Sequence, residues 1–347
     1  MTGMTRRTAL GTLGKFGTLG ALASTPFLTS SAWAQATTLK ISHQFPGGSV
    51  TEGDFRDRLT RMFAAEVEKR SKGALKFAIY PGSSLMKTNA QFSAMRKGAL
   101  DLSLVPLSYA GGEVPEVNIG LMPGLVTSYQ QGYSWKNAEV GKELARILYD
   151  KGIVVVSWIW QAGGVASRGK AVVEPEDAKG MKIRGGSREM DLILKAAGAA
   201  VVSLPSNEIY AAMQTGAMDA ALTSSTSLIS FRLEEVSKAL TSGRGNAYWF
   251  MFEPLMMSRA VFDKLPKDQQ ATILAVGADM EAFALKAAQD DDSQVAAVYQ
   301  KAGAKVVDLN AATVKRWQAI ARTTAWKDYS EKNENCAKLL KLAEKTL

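Results

Sequence analysis

Lys179-Gly180-Met181-Lys182-Ile183-Arg184-Gly185-Gly186-Ser187 reads as a short strand, a glycine turn and the opening of a helix. The strand covers Met181 to Arg184, and the helix covers Arg188 to Ala197 until Gly198 stops it. Further on, Ala200 to Leu204 is a strand, Asn207 to Thr215 a helix with Ser206 as its cap, and Met218 to Leu222 another strand. Alternation of this kind calls for a sheet rich in parallel strands, helices on both faces and ligands at the carboxyl ends of the strands.

The first hundred residues follow the same order. Leu39 to Ser42 is a strand, Thr51 to Ser71 carries one apolar helical face closed by Gly73, and Ala74 to Tyr80 alternates until Pro81-Gly82. A short helix over Asn89 to Lys97 and a strand over Leu100 to Val105 complete the set. Two similar halves imply a cleft between them. Gln131 to Asp150 is a further helix, and the β-branched run Ile153 to Trp160 is a central strand where the first half ends. Tyr248 to Phe252 is the returning hinge strand, Lys267 to Lys301 a long helix, and the tail from Ala311 is helical. Gly164-Val165-Ala166-Ser167-Arg168-Gly169-Lys170 has P-loop spacing. Ala171 replaces the magnesium-holding hydroxyl, however, and strand and turn residues follow, so a hairpin is expected there.

The chain has 347 residues, 46% hydrophobic and 22% charged, which is enough for two packed lobes and excludes a disordered chain. The net charge is +9, of which Arg6, Arg7 and Lys15 supply three in an N-terminal segment without acids. The remaining +6 is interleaved with acids, so it describes a mixed surface rather than a nucleic-acid stripe. The paired arginines, a weakly apolar stretch to Leu28 and Ser31-Ala32-Trp33-Ala34 form a signal peptide over 1–34, cleaved after Ala34. Thr5-Arg6-Arg7 resembles a twin-arginine export motif. With Ala9 where a large apolar residue is usual, the Sec route stays open. Export places the mature chain in the periplasm.

One histidine, His43, and one cysteine, Cys336, leave almost nothing for a zinc cluster or a catalytic triad. Neither a catalytic group nor a metal or other cofactor is expected. His43 follows the first strand, where a ligand cleft would open, and is a candidate contact against the simpler reading of a hydrogen-bonded structural residue. Trp158, Trp160 and Trp249 on the hinge strands suit a core as well as an aromatic pocket wall. Arg184, at the carboxyl end of its strand, can present two parallel N–H donors to a carboxylate, which lysine cannot. By composition alone the plainer reading is a surface arginine.

The stretch Lys179 to Ser187, together with Leu204-Pro205-Ser206-Asn207-Glu208-Ile209-Tyr210 and its continuation to Asp219, resembles the substrate-binding proteins of tripartite ATP-independent periplasmic (TRAP) transporters. Tyr80 to Leu85, Arg96 to Asp101 and Phe262 to Pro266 resemble further family segments. The resemblance implies a two-lobed α/β periplasmic-binding-protein architecture with hinge strands and a long helix crossing both lobes. Lobe I would comprise 35–160 plus 249–288, and lobe II 161–248 plus 289–347. It also implies that Arg184 forms a salt bridge with a ligand carboxylate and that a membrane permease receives the solute.

The chain departs from the family pattern in its pocket. Asp219-Ala220-Ala221-Leu222-Thr223-Ser224 stands where many relatives carry an asparagine. Gly163-Gly164 stands where some carry a second arginine, with Arg168 five residues on, and Ser206 replaces an aromatic residue. Thr223 and Ser224, then Trp249 and Tyr109, are the next expected contacts, with His43, Arg168 and Ser206 behind them. The expected function is capture of a small organic anion, a carboxylate before a sulfonate, by cleft closure. A binding protein of an ABC importer or sensor kinase, a periplasmic enzyme and an adhesive protein are the alternatives.

Overall fold

The structure, a computed structural model, describes residues 36–347. The expected signal peptide therefore lies outside the described residues. The strands are β1 (Thr37–His43), β2 (Leu75–Tyr80), β3 (Leu102–Leu104), β4 (Ile153–Ser157), β5 (Trp160–Ser167), β6 (Lys182–Arg184) and β7 (Ala200–Val201). Then come β8 (Ala220–Ser224), β9 (Ala239–Ser242), β10 (Phe250–Phe252), β11 (Leu255–Ser258) and β12 (Lys305–Asp308). They form two sheets, one in each lobe, in the orders β2-β1-β3-β11-β4 and β12-β9-β5-β8-β6-β7, with β10 added along β5.

The expected parallel pairs are present: β1 with β2 and β3, β6 with β7 and β8, and β9 with β12. Both sheets are nevertheless mixed. The strands that pass between lobes run against their neighbours, β11 against β3 and β4, and β5 against β8, β9 and β10. A chain that leaves a lobe and returns to it must reverse direction, which alternation along the sequence does not reveal.

The run Ile153 to Trp160 is not one strand. It breaks at Trp158-Ile159, so that β4 belongs to the first sheet and β5 to the second. The return crosses at Glu253-Pro254, and the two linkers are tied by the Glu253 amide, which donates to Ile159 O at 2.9 Å. The expected hairpin after Gly164 is absent, because Gly164 to Ser167 continues β5 and the chain then turns through Pro175–Ala178. The expected Gln131 to Asp150 helix is two helices, Tyr129–Ser134 and Glu139–Asp150. Ser206 is not a cap either. It opens a short 3-10 turn over Ser206–Glu208, because Pro205 precedes it with extended backbone.

The helix Lys267–Lys301 spans both lobes as expected. Its first half packs on the helix Phe55–Arg70 and on β4, burying Ile273, Val276 and Met280. Its last turns bury Val295 and Tyr299 against Ala221, Leu228 and Leu240 of the second lobe. The tail touches both lobes, since Trp317 Nε1 donates to Val173 O and Trp326 Nε1 to Pro123 O.

Candidate ligand-binding site

Arg184 ends β6, and its side chain is sunk between the lobes, 2% exposed. Nε donates to Leu204 O at 3.1 Å, Nη1 to Leu222 O at 2.8 Å and Nη2 to the Tyr109 hydroxyl at 2.7 Å. A guanidinium has five N–H donors. Three are engaged, which leaves one hydrogen on each terminal nitrogen, an end-on fork. Among the described residues no carboxylate stands within ion-pairing distance; carbonyl and phenol dipoles bond the guanidinium directly, and its charge acts at longer range on the Asp191 carboxyl, which burial pushes up to about 6. Burying a cation in this way is costly unless an anion completes its shell.

The backbone beside Arg184 is shaped for close approach. Gly186 has φ +94°, and a Cβ there would fall 2.6 Å from Arg184 Nη1. The Tyr109 oxygen also accepts from the Ser206 amide at 2.9 Å. With two bonds accepted, its own O–H remains to donate. Ser108, the neighbour of Tyr109, donates through Oγ to Gly186 O at 3.1 Å. Trp249 Nε1 donates to Gly185 O at 3.1 Å, and a Cβ on Gly163 would come within 2.4 Å of the indole. Trp249 thus spends its donor on the glycine loop and offers only a ring face. A cavity of about 270 Å³ adjoins this cluster, with Tyr109, Gly186, Leu204 and Asp191 among its walls.

The structure therefore gathers Arg184, Tyr109, Trp249 and Ser206 into one cluster. Thr223 adjoins it, one residue beyond Leu222 and paired with Gly164. Three expected contacts lie elsewhere. Ser224 Oγ caps the helix Ser225–Ser230, accepting from the Ser227 amide at 3.2 Å. His43 is fully buried in lobe I, its Nε2 3.1 Å from Asp57 Oδ1 and its ring stacked on Phe45. Burial works to raise the Asp57 carboxyl, but hydrogen bonds from His43, Arg61 and the Gly48 amide outweigh it and hold the group below its usual range. Arg168 stands at the opposite end of the lobe II strands, where its amide donates to Asp219 O. Arg168 follows the last residue of β5, which runs antiparallel to β8 with Ser167 opposite Ala220, and so residue 168 sits at the start of β8 rather than beside Leu222.

Sequence reasoning missed Gln44, Gln161, Glu253 and Arg56. Gln44 lies just past His43 at the carboxyl edge of β1 and is 1% exposed, and neither end of its amide has a partner among the described residues. Gln161 donates through Nε2 to Glu253 Oε2 and leaves its own Oε1 without a partner. Arg56 is buried like Arg184 but faces two carboxylates, Asp54 at 2.6 Å and Glu253 at 3.2 Å. Burial pulls the Arg56 guanidinium down, and those two charges more than offset it, leaving the group above its ordinary value. Burial pushes Glu253 up to about 7, with Arg56 opposing.

A buried, anion-deficient arginine between two hinged α/β lobes is the layout of a solute receptor. Residues 47–333 match the profile of bacterial extracellular solute-binding protein family 7. The chain belongs to this family. A solute-binding protein of Albidiferax ferrireducens is 77% identical over 329 residues, covering 95% of this chain and 97% of that one. The crystal structure of a TRAP periplasmic solute-binding protein from Rhodoferax ferrireducens with bound malonate superposes with TM-score 0.88. It is 80% identical and covers 89% of this chain and 98% of that one. A C4-dicarboxylate-binding periplasmic protein of Rhodobacter capsulatus is 24% identical over 307 residues, 87% of this chain and 89% of that one. Family membership agrees with the resemblance read in the sequence, and among the described residues no helix is long and apolar enough to cross a membrane.

Proposed function

We propose that this family 7 protein is the periplasmic receptor of a TRAP-type transporter and that it captures a short dicarboxylate of the malonate class. The observation that carries the reading is Arg184: a buried guanidinium with no carboxylate partner among the described residues and one free N–H on each terminal nitrogen. One ligand carboxylate takes that fork and the Tyr109 hydroxyl, a geometry in which charge-assisted bonds are strongest. Gln44, whose buried amide has no partner among the described residues, and Thr223, next to Leu222 on β8, are the groups we assign to the rest of the ligand. The malonate held by the 80% identical relative is a compact dianion that suits such a site.

The lobes turn about Trp158-Ile159 and Glu253-Pro254. The contacts of Tyr109 and Ser108 with residues 184–206 form only when the lobes meet, so ligand that bridges them shifts the population toward the closed state. Residues 1–34 act as the signal peptide that delivers the chain to the periplasm. Binding requires no chemical step, and the ligand is released to the permease unaltered.

The test is a thermal-shift and calorimetric screen of residues 35–347, freed of bound ligand, against malonate, longer dicarboxylates, monocarboxylates and sulfonates. Malonate at 100 times its dissociation constant stabilises by about 2.7 kcal/mol. Silence across the carboxylates overturns the reading, and chemical change in recovered ligand would reinstate an enzyme.

A further inference from the structure

Arg56 is fully buried, yet nothing in the ligand-binding cluster uses it. It stands in the first turn of the helix Phe55–Arg70, on lobe I. Nε and Nη2 donate to Asp54 at 2.9 and 2.6 Å, and the Phe45 ring lies 3.6 Å from the guanidinium carbon. These partners belong to its own lobe. The others do not. Nη1 donates to Ser227 Oγ at 3.1 Å and makes a longer contact with Ser224 Oγ at 3.5 Å, and Nη2 reaches Ser230 Oγ at 3.5 Å, all from the lobe II helix Ser225–Ser230 and its cap. Nη1 also pairs at 3.2 Å with Glu253, on the returning linker, which Gln161 of β5 holds from the other side.

One side chain is thus bonded to lobe I, to lobe II and to the hinge. When the lobes part, Asp54 and Phe45 move with Arg56, whereas Ser227 and Ser230 leave it. Of the bonds that Arg56 makes, those to lobe II are the ones that differ between the open and closed states, and only such a difference shifts the equilibrium. The contrast with Arg184 is one of pairing. Two carboxylates saturate Arg56, so it has no need of an anion.

We propose that Arg56 is a positioning residue that latches the closed state by bonding across the lobes to Ser227 and Ser230, without touching the ligand. The proposal rests on the closure reading given above. It implies that the latch slows ligand escape and leaves encounter unaffected, because the bonds form on closure, which follows entry; in the ligand-free protein the same bonds raise only a minor closed population.

Removing Arg56 would strand Asp54 and Glu253 in the interior and risks misfolding. The decisive variant is therefore Ser227→Ala with Ser230→Ala, which removes two of the three lobe II acceptors, keeps the Ser224 cap and spares the ion pairs. Stopped-flow kinetics with malonate, together with spin-label distances between Lys76→Cys in lobe I and Lys238→Cys in lobe II, give two independent readouts. The latch predicts dissociation faster by about threefold to tenfold and association changed by less than about twofold. The melting midpoint of the ligand-free protein should be unchanged. Unaltered dissociation from a variant whose parent binds malonate sinks the latch and leaves the carboxylate reading standing. If the parent fails to bind malonate, that reading falls, and the latch is judged on the ligand-free distances. A variant more open than its parent upholds it, and identical distance distributions overturn it.

Discussion

The hydroxyl of Tyr109 and Nη2 of Arg184 stand 2.7 Å apart across the two lobes, and the same oxygen accepts from the Ser206 amide at 2.9 Å. Tyr109 follows β3 of the first sheet, while Arg184 and Ser206 belong to the second lobe. One phenol therefore senses both closure and the orientation of the guanidinium. It also explains why Arg184 tolerates burial at all, since three fixed dipoles replace part of its hydration.

Tyr109→Phe removes the acceptor that both Nη2 and the Ser206 amide use, together with the O–H aimed at the ligand. Each lost bond to a charged partner is worth about 1.5–3 kcal/mol. Calorimetry should show malonate affinity falling by about tenfold or more. An affinity equal to that of the parent would remove Tyr109 from the site.

Arg184→Ala should weaken carboxylate binding by more than about tenfold, because the ligand anion is then buried without a counter-charge. Arg184→Lys should also be impaired. A single ammonium cannot satisfy Leu204 O, Leu222 O and Tyr109 while presenting two parallel donors. Titration of both variants with malonate separates charge from fork, and full affinity in the lysine variant would show that charge alone matters.

How far the sequence reached can be seen residue by residue. The periodicity of Phe55, Leu59 and Phe63 located a helix whose buried face is the one observed, and the β-α-β order gave both halves. The break at Trp158-Ile159 was not legible, because an apolar run looks the same whether one sheet or two receive it. In the site, the strand-glycine-helix pattern located Arg184 at the end of its strand, whereas its role toward a carboxylate came from the resemblance alone. Arg56 was not legible, since an arginine in a first helical turn is usually solvated and only tertiary packing brings Glu253 and Ser227 to it. His43 drew attention by chemistry alone, while the amide with no partner belongs to its neighbour Gln44.

Gly186→Ala tests whether the glycine loop sets the guanidinium. The residue has φ +94°, and the new Cβ would fall 2.6 Å from Nη1. Strain of roughly 1–3 kcal/mol is then relieved by moving either the loop or Arg184. Affinity for malonate should fall by at least about fivefold with the circular-dichroism spectrum unchanged. An unaffected affinity would mean that the loop yields instead.

Glu189 offers a prediction in pH. It is fully buried, and burial pushes its carboxyl up to about 7, opposed in part by its own backbone amide and by Arg188. Its value in the unfolded chain is about 4.3. Between those limits the folded protein holds a proton that the unfolded chain has released, so this group's contribution to stability falls as pH rises from about 4.3 to about 7 and then levels off. Glu189→Gln keeps the shape and cannot ionise. Its melting midpoint should exceed that of the parent at pH 8 by at least about 2 °C and match or fall below it at pH 5. A gain of equal size at both pH values would show that the charge of Glu189 is not what its burial costs.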